Sequence, residues 1–212
     1  MIKYTICFCF LVLFTTSVSA QPEGFRNLKD EQSFRKKFTE AAGKINTIQA
    51  DFTQVKNLLV LSEKISSKGK FWFMKQNKVR MEYTSPYQYL MVINQDKMII
   101  RDESKTTSIS SKSNRLLQYV NRIIIDCVQG TAIDSEDFEV KVYENDKHYL
   151  LFMTPSKKEF LEYFSDIRLL IDKVNYSVDR MEMTESNGDN TVFTFLNKKF
   201  NETIPDLLFS TN

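Results

Sequence analysis

His148 is the one histidine in the chain. It follows Lys147 in a polar segment, with no second histidine and no cysteine at ligand spacing, so a His-rich metal centre is excluded. It reads as a solvated turn histidine. A serine nucleophile would need a usable imidazole base, and no serine sits in a nucleophile elbow. The five glycines are scattered, and none forms a phosphate-cradling loop. Cys127 could serve as a nucleophile or redox thiol. It stands, however, in the apolar run Ile123-Ile124-Ile125-Asp126-Cys127-Val128 and reads as a small buried hydrophobe. Carboxylate pairs such as Glu136-Asp137 fall in polar turns, and nothing marks them as a hydrolase pair. No catalytic residue, metal or cofactor is assigned, and an enzyme is not expected.

The chemistry that remains is burial of apolar surface. Lys70 to Pro86 reads as two strands joined at Gln76-Asn77. In the second, Val79, Met81 and Tyr83 alternate with Lys78, Arg80 and Glu82, giving one greasy and one charged face. In the first, Phe71, Trp72, Phe73 and Met74 are apolar at every position. Something must cover such a face: a helix of the same chain or an apolar passenger.

The elements around this pair are a helix and many strands. Phe34, Phe38, Ala41, Ala42 and Ile45 recur at helical spacing between Asn27 and about Gln49. Ile48, Ala50 and Phe52 then share one face of a strand, and a polar break at Ser62 to Ser67 follows. Further strands are expected at Tyr87 to Ile93, Met98 to Arg101, Thr106 to Ser110, Phe138 to Tyr143, Tyr149 to Thr154, Ile167 to Ile171, Val178 to Glu185 and Thr191 to Phe195. Between them, Asn114 to Val128 is apolar at Leu116, Leu117, Val120, Ile123, Ile124 and Cys127, a helical period that Gly130 ends. About ten short strands with tight turns argue for a strongly curved antiparallel sheet with helices as its second layer.

The ends and the charge set the compartment. Lys3, the apolar segment Ile6 to Phe14 and the small-residue pattern Val18-Ser19-Ala20 make residues 1–20 an expected signal peptide, cleaved before Gln21. Residues 21–212 are expected to form a single domain, alone as a monomer. The formal charge is +2, of which Lys3 is one, leaving +1. That balance does not point to nucleic acid. Cys127 would be the only cysteine left, so an internal disulfide is excluded and the core must do the stabilising.

The order of motifs resembles a known family. A signal peptide and a helix lead to Ala50-Asp51-Phe52-Thr53-Gln54, then Gly69-Lys70-Phe71-Trp72-Phe73, then Arg80-Met81-Glu82-Tyr83-Thr84-Ser85-Pro86 and a hairpin. This looks like the LolA-type periplasmic lipoprotein carriers, over essentially the whole chain after residue 20. The resemblance implies a mainly β fold with helices: an unclosed antiparallel β-barrel with a helical lid over a hydrophobic cavity. It implies a task without cofactors. Such carriers accept lipoproteins from an inner-membrane ABC transporter, shield their acyl chains in the periplasm and pass them to an acceptor at the outer membrane. Two alternatives stay open: a carrier of another envelope lipid, such as a glycolipid or pigment lipid, and a lipid-sensing regulatory binding protein of the same fold.

Alternation and helical spacing select the expected acyl-chain cavity. Its strand side is Phe71, Phe73, Val79, Met81, Tyr83, Leu90 and Val92, and its lid side is Leu116, Leu117, Val120 and Ile124. The family often carries Arg-Pro after the aromatic strand, the arginine latching the lid. Lys75 and Gln76 stand at the matching positions. Lys75 is therefore expected to help hold the lid closed by donating to backbone carbonyls at or near the helix of Leu116 to Val128, with a compact ammonium in place of the planar fork.

Overall fold

The computed structural model describes residues 21–95, 97–102, 104–110 and 115–211, without the side chains of Ser110 and residues 115–117. The expected signal peptide lies outside the described residues. In chain order the elements are β1 (Arg26–Asn27), α1 (Glu31–Gly43), β2 (Thr47–Leu58), β3 (Glu63–Met74), β4 (Lys78–Ser85), β5 (Tyr89–Asn94), β6 (Lys97–Arg101) and β7 (Thr106–Ser110). Then follow α2 (Arg115–Gln129), β8 (Phe138–Glu144), β9 (His148–Pro155), α3 (Lys158–Leu161), β10 (Phe164–Asp172), β11 (Val178–Glu185) and β12 (Asn190–Phe200).

All twelve described strands join one antiparallel sheet in the order β1-β8-β9-β10-β11-β12-β2-β3-β4-β5-β6-β7. β1 and β7 are its two edges and do not pair with each other, so the barrel is unclosed. The polar break expected at Ser62 to Ser67 is instead continuous strand from Glu63 onward. The β2–β3 ladder runs without a slip from Thr47 opposite Met74 to Leu58 opposite Glu63. Backbone hydrogen bonds carry a ladder past the point where its side chains stop packing.

α1 begins where Asp30 accepts a hydrogen bond from the Ser33 amide at 2.9 Å, a side-chain cap, with Glu31 in the first turn. Phe34, Phe38 and Ala42, four residues apart, form its buried stripe. It ends at Gly43, short of the expected Gln49. There the Asn201 side chain accepts from the Asn46 amide at 2.7 Å and donates to the Lys44 carbonyl at 3.1 Å, turning the chain into β2.

The inner face of the sheet and the two long helices share one core. Phe52, Phe73, Val79, Leu151, Ile167 and Leu169 from the strands meet Phe34 and Phe38 of α1 and Ile123, Ile124 and Cys127 of α2. Gly130 follows α2 with φ +73°, and a Cβ there would come within 2.8 Å of the Ala42 Cβ. The missing side chain lets the end of α2 lie against α1.

The outer face carries a second, smaller cluster. Ile204 and Phe209 pack on Val92, with Trp72, Met74 and Leu90 around them. Arg80 donates to the Leu208 carbonyl at 3.1 Å and Asn94 to the Phe209 carbonyl at 3.0 Å. The tail after β12 thus covers the outer side of β3 to β5. No described helix is long and apolar enough to cross a membrane.

Candidate functional site

An apolar cavity lies between α2 and the inner face of the sheet. Ile45, Ile48 and Ala50 enter it from the α1–β2 junction, Phe71 from β3, Met181 from β11, and Phe195 and Phe200 from β12. Ile124, Cys127 and Val128 of α2 form the opposite wall. Its free volume is about 50 Å³. A water needs about 10–15 Å³ of such space, so the cavity as it stands takes a few water-sized guests and no long alkyl chain.

One corner of the cavity is polar. Lys198 lines it, and its ammonium donates to Ser177 Oγ at 2.5 Å, to the Val178 carbonyl at 3.2 Å and to the Asp179 carboxylate. His148 Nε2 stands 3.0 Å from the other oxygen of Asp179. His148 begins β9 and is partly buried and paired, a correction to its reading as a solvated turn residue: its partner Asp179 lies 31 residues later, in β11. His148, Asp172 and Asp179 are near enough to be tested as cation ligands. Asp179 is already shared by Lys198 and His148, and one Asp172 oxygen accepts from the Val174 and Asn175 amides at 2.8 and 2.9 Å. These carboxylates are occupied in holding local structure. Cys127 is buried against the cavity, and burial pushes its thiol well above the ordinary range, so it stays neutral and unreactive.

The residues selected from the sequence divide into groups. Phe71 and Ile124 line the cavity. Phe73, Val79 and Met81 are buried elsewhere on the inner face, and Tyr83 and Val120 pack against that core. Tyr83 meets Phe52 edge-on at 5.0 Å between ring centroids. The side chains of Leu116 and Leu117 lie outside the described residues. The set therefore does not surround one common space. Packing fills the inner face under β4, β9 and β10, and the space remains along β2, β3, β11 and β12, where the small Ala50 and Ser177 line it.

Leu90 and Val92 are corrections. Val79 pairs with Ile93 and Met81 with Met91, so the inward residues of β5 are Tyr89, Met91 and Ile93. Leu90 and Val92 face outward, under the tail. Tyr89 to Ile93 is apolar at every position, so alternation alone gave no parity.

Lys75 is the other correction. Its ammonium donates to the Gly43 carbonyl at 2.7 Å, at the end of α1 and not on α2. The last carbonyls of a helix lack intrahelical partners and sit at the negative end of its dipole, which draws in a cation. The turn after β3 does touch α2, but through Asn77, whose side-chain oxygen accepts from Gln129 at 3.4 Å.

One charged tie of α2 carries no mark in the sequence. Arg122 of α2 lies 2.8 Å from Asp137, and Lys157 lies 2.5 Å from the other oxygen of that carboxylate. Asp137 is 1% exposed. On the same helix, the Asp126 carboxyl is pushed above its ordinary range by burial, against the hydrogen bond that Thr131 donates to it at 3.0 Å.

Comparison with known proteins gives the family. No curated protein matches the sequence. An uncharacterized conserved protein from Thermus thermophilus superposes with a TM-score of 0.53 at 9% identity, over 86% of this chain and 94% of that one. MucB superposes at 0.51 with 10% identity, over 88% of this chain and 65% of that one; MucB is a Pseudomonas aeruginosa protein. A LolA superfamily protein from Nitrosomonas europaea gives 0.44 at 10% identity, over 84% and 96%. At such identities the first two likenesses concern the fold alone. The sequence pattern of the family described as outer membrane lipoprotein carrier protein LolA matches residues 43–212, a binding and carrier fold whose span takes in every strand from β2 to β12 and both walls of the cavity. The chain belongs to the LolA family.

Proposed function

We propose that this protein carries the acyl chains of lipoproteins across the periplasm, from an inner-membrane ABC transporter to an acceptor at the outer membrane. Export with removal of residues 1–20, leaving a monomeric single domain, belongs to the same proposal. The observation that carries it is the cavity between α2 and the inner face, whose wall is apolar apart from Ser177, Lys198 and Tyr176. Each methylene kept from water contributes about 0.8 kcal/mol, so an alkyl chain crosses an aqueous gap only on a surface of this kind.

With about 50 Å³ free, loading requires α2 to move off the sheet. The apolar residues it now covers would then receive the guest. Unloading is its return, when α2 and the guest compete for the same surface.

The test is mass spectrometry of an organic extract, and of the intact protein, purified from the native periplasm. A co-purifying lipid-modified protein or peptide supports the reading. A glycolipid or pigment lipid in its place assigns a different cargo, and an empty protein that also fails to take up a lipoprotein from detergent overturns it. The intact mass should begin at Gln21, and a mass that keeps residues 1–20 refutes the export step.

A further inference from the structure

The turn between β2 and β3 is aliphatic where tight turns are ordinarily polar. Leu59, Val60 and Leu61 are 65%, 86% and 63% exposed. Among the described residues no other exposed large hydrophobics are consecutive. The Ser62 amide closes the turn on the Leu59 carbonyl at 3.3 Å, and Ser62 has φ +53°. Such geometry favours Gly, Asn, Asp or Ser, and nothing in it calls for three aliphatic side chains. They add nothing to the core either.

The turn is held out from the sheet on a firm base. The Leu59 amide donates to Asp189 at 2.9 Å, and the Leu59 side chain rests on Gly188 in the turn before β12. β4 pairs with β3 only as far as Lys68, so Glu63 to Ser67 extend about 17 Å beyond the last β4 partner at 3.3 Å per residue. On the outer face of this extension Lys64 and Lys68 are exposed, and neither has a carboxylate within ion-pair distance among the described residues. Glu63 lies on the opposite face of β3. Tyr87, 74% exposed, occupies the β4–β5 turn at the same end of the sheet.

We propose that this turn is a membrane-docking site: Val60 and Leu61 enter the interfacial layer of an anionic phospholipid bilayer while Lys64 and Lys68 meet its headgroup phosphates. A small projecting aliphatic tip backed by unpaired cations suits a fluid anionic surface. It offers neither a concavity nor an array of hydrogen-bonding groups to a folded protein. The inference does not rest on the carrier reading, since it needs no occupant in the cavity.

The test is co-sedimentation of the purified protein with vesicles of phosphatidylcholine and phosphatidylglycerol, against vesicles of phosphatidylcholine alone. Binding to the anionic vesicles is expected, weakened by salt. Val60→Glu or Leu61→Glu should reduce it at least about tenfold, and Lys64→Gln or Lys68→Gln about fivefold each. All variants share one N-terminus, so differences between them report the turn. Val60→Ser, which keeps turn chemistry, serves if the glutamate variants lose their circular dichroism. Equal binding to both vesicles overturns the anionic assignment. Binding untouched by the Val60 and Leu61 variants overturns the site. No vesicle binding, with the turn cross-linking instead to a membrane protein, replaces the bilayer with a protein partner and overturns the proposal.

Discussion

Arg122 on α2 and Asp137 just before β8 stand 2.8 Å apart, and the carboxylate between Arg122 and Lys157 is almost wholly out of water. The two contacts are close ion pairs whose angles fall outside hydrogen-bond geometry. The carboxylate in turn raises the Lys157 ammonium above its ordinary value. Asp137→Asn keeps the shape and removes the charge that both cations share. Arg122 and Lys157 are about half exposed, so water relieves much of the loss, and the expected destabilisation is about 1–2 kcal/mol. Hydrogen exchange should quicken in α2 before it does in β9 or β10. Unchanged exchange in α2 would show that the helix is held by packing alone.

Lys75→Leu should act on α1. Removing a cation from a helix C-terminus costs about 0.3–1 kcal/mol, a small fall in thermal midpoint. Amide exchange should rise around Gly43 to Asn46 and stay level in α2. A change in lipoprotein uptake or release, with α1 unaffected, would restore Lys75 to the lid.

Ala50 lines the cavity and sits in β2, where a β-branched residue is at home. Ala50→Val adds two methyl groups to a space of about 50 Å³. Stability should change by less than about 1 kcal/mol, because the added carbon fills existing space. Uptake of a fluorescent acyl probe should nevertheless weaken, as the guest loses space in the cavity that Ala50 lines. Full uptake by a folded variant would place the guest elsewhere on the inner face.

Glu144 gives an acid-side signature. Its carboxylate accepts from Lys173 at 2.6 Å and from Arg26 at 3.3 Å, and the Lys173 hydrogen bond is the main cause of its lowered pKa. A carboxyl with a depressed folded-state pKa contributes stability above its unfolded value, and that contribution fades as pH falls through the folded one. The window therefore opens below the ordinary value of 4.5. Glu144→Gln should flatten urea midpoints below that pH and leave the slope near neutrality as it is. Parallel curves for the two proteins would remove Glu144 from the acid limb.

Much of the sheet was legible because single faces were clean. Ile48, Ala50 and Phe52 on β2, and Val79, Met81 and Tyr83 on β4, alternate with polar neighbours, so their parity could be read directly. β5 could not be read this way. Its outer face is apolar as well, because a tail more than a hundred residues later covers Leu90 and Val92. The same distance hid the partners of charged groups. Lys75 meets a carbonyl 32 residues before it, and His148 meets a carboxylate 31 residues after it. Asp137 reads as a turn residue because the two cations that meet it come from separate elements. The cavity beside β2 and β12 was not legible for a related reason: free space is what packing leaves over, and no run of residues encodes it.

The strand order carries a mechanical consequence. The chain leaves β7 at one margin of the sheet, forms α2, and returns at β8, one strand from the other margin. The helix is thus a tie-rod slung between the two sides of an open cylinder. Lifting it away from the inner face therefore involves the strands at both margins, and not the helix alone. A clamp across the slit, such as a cross-link between β1 and β7, would lock the helix without touching it.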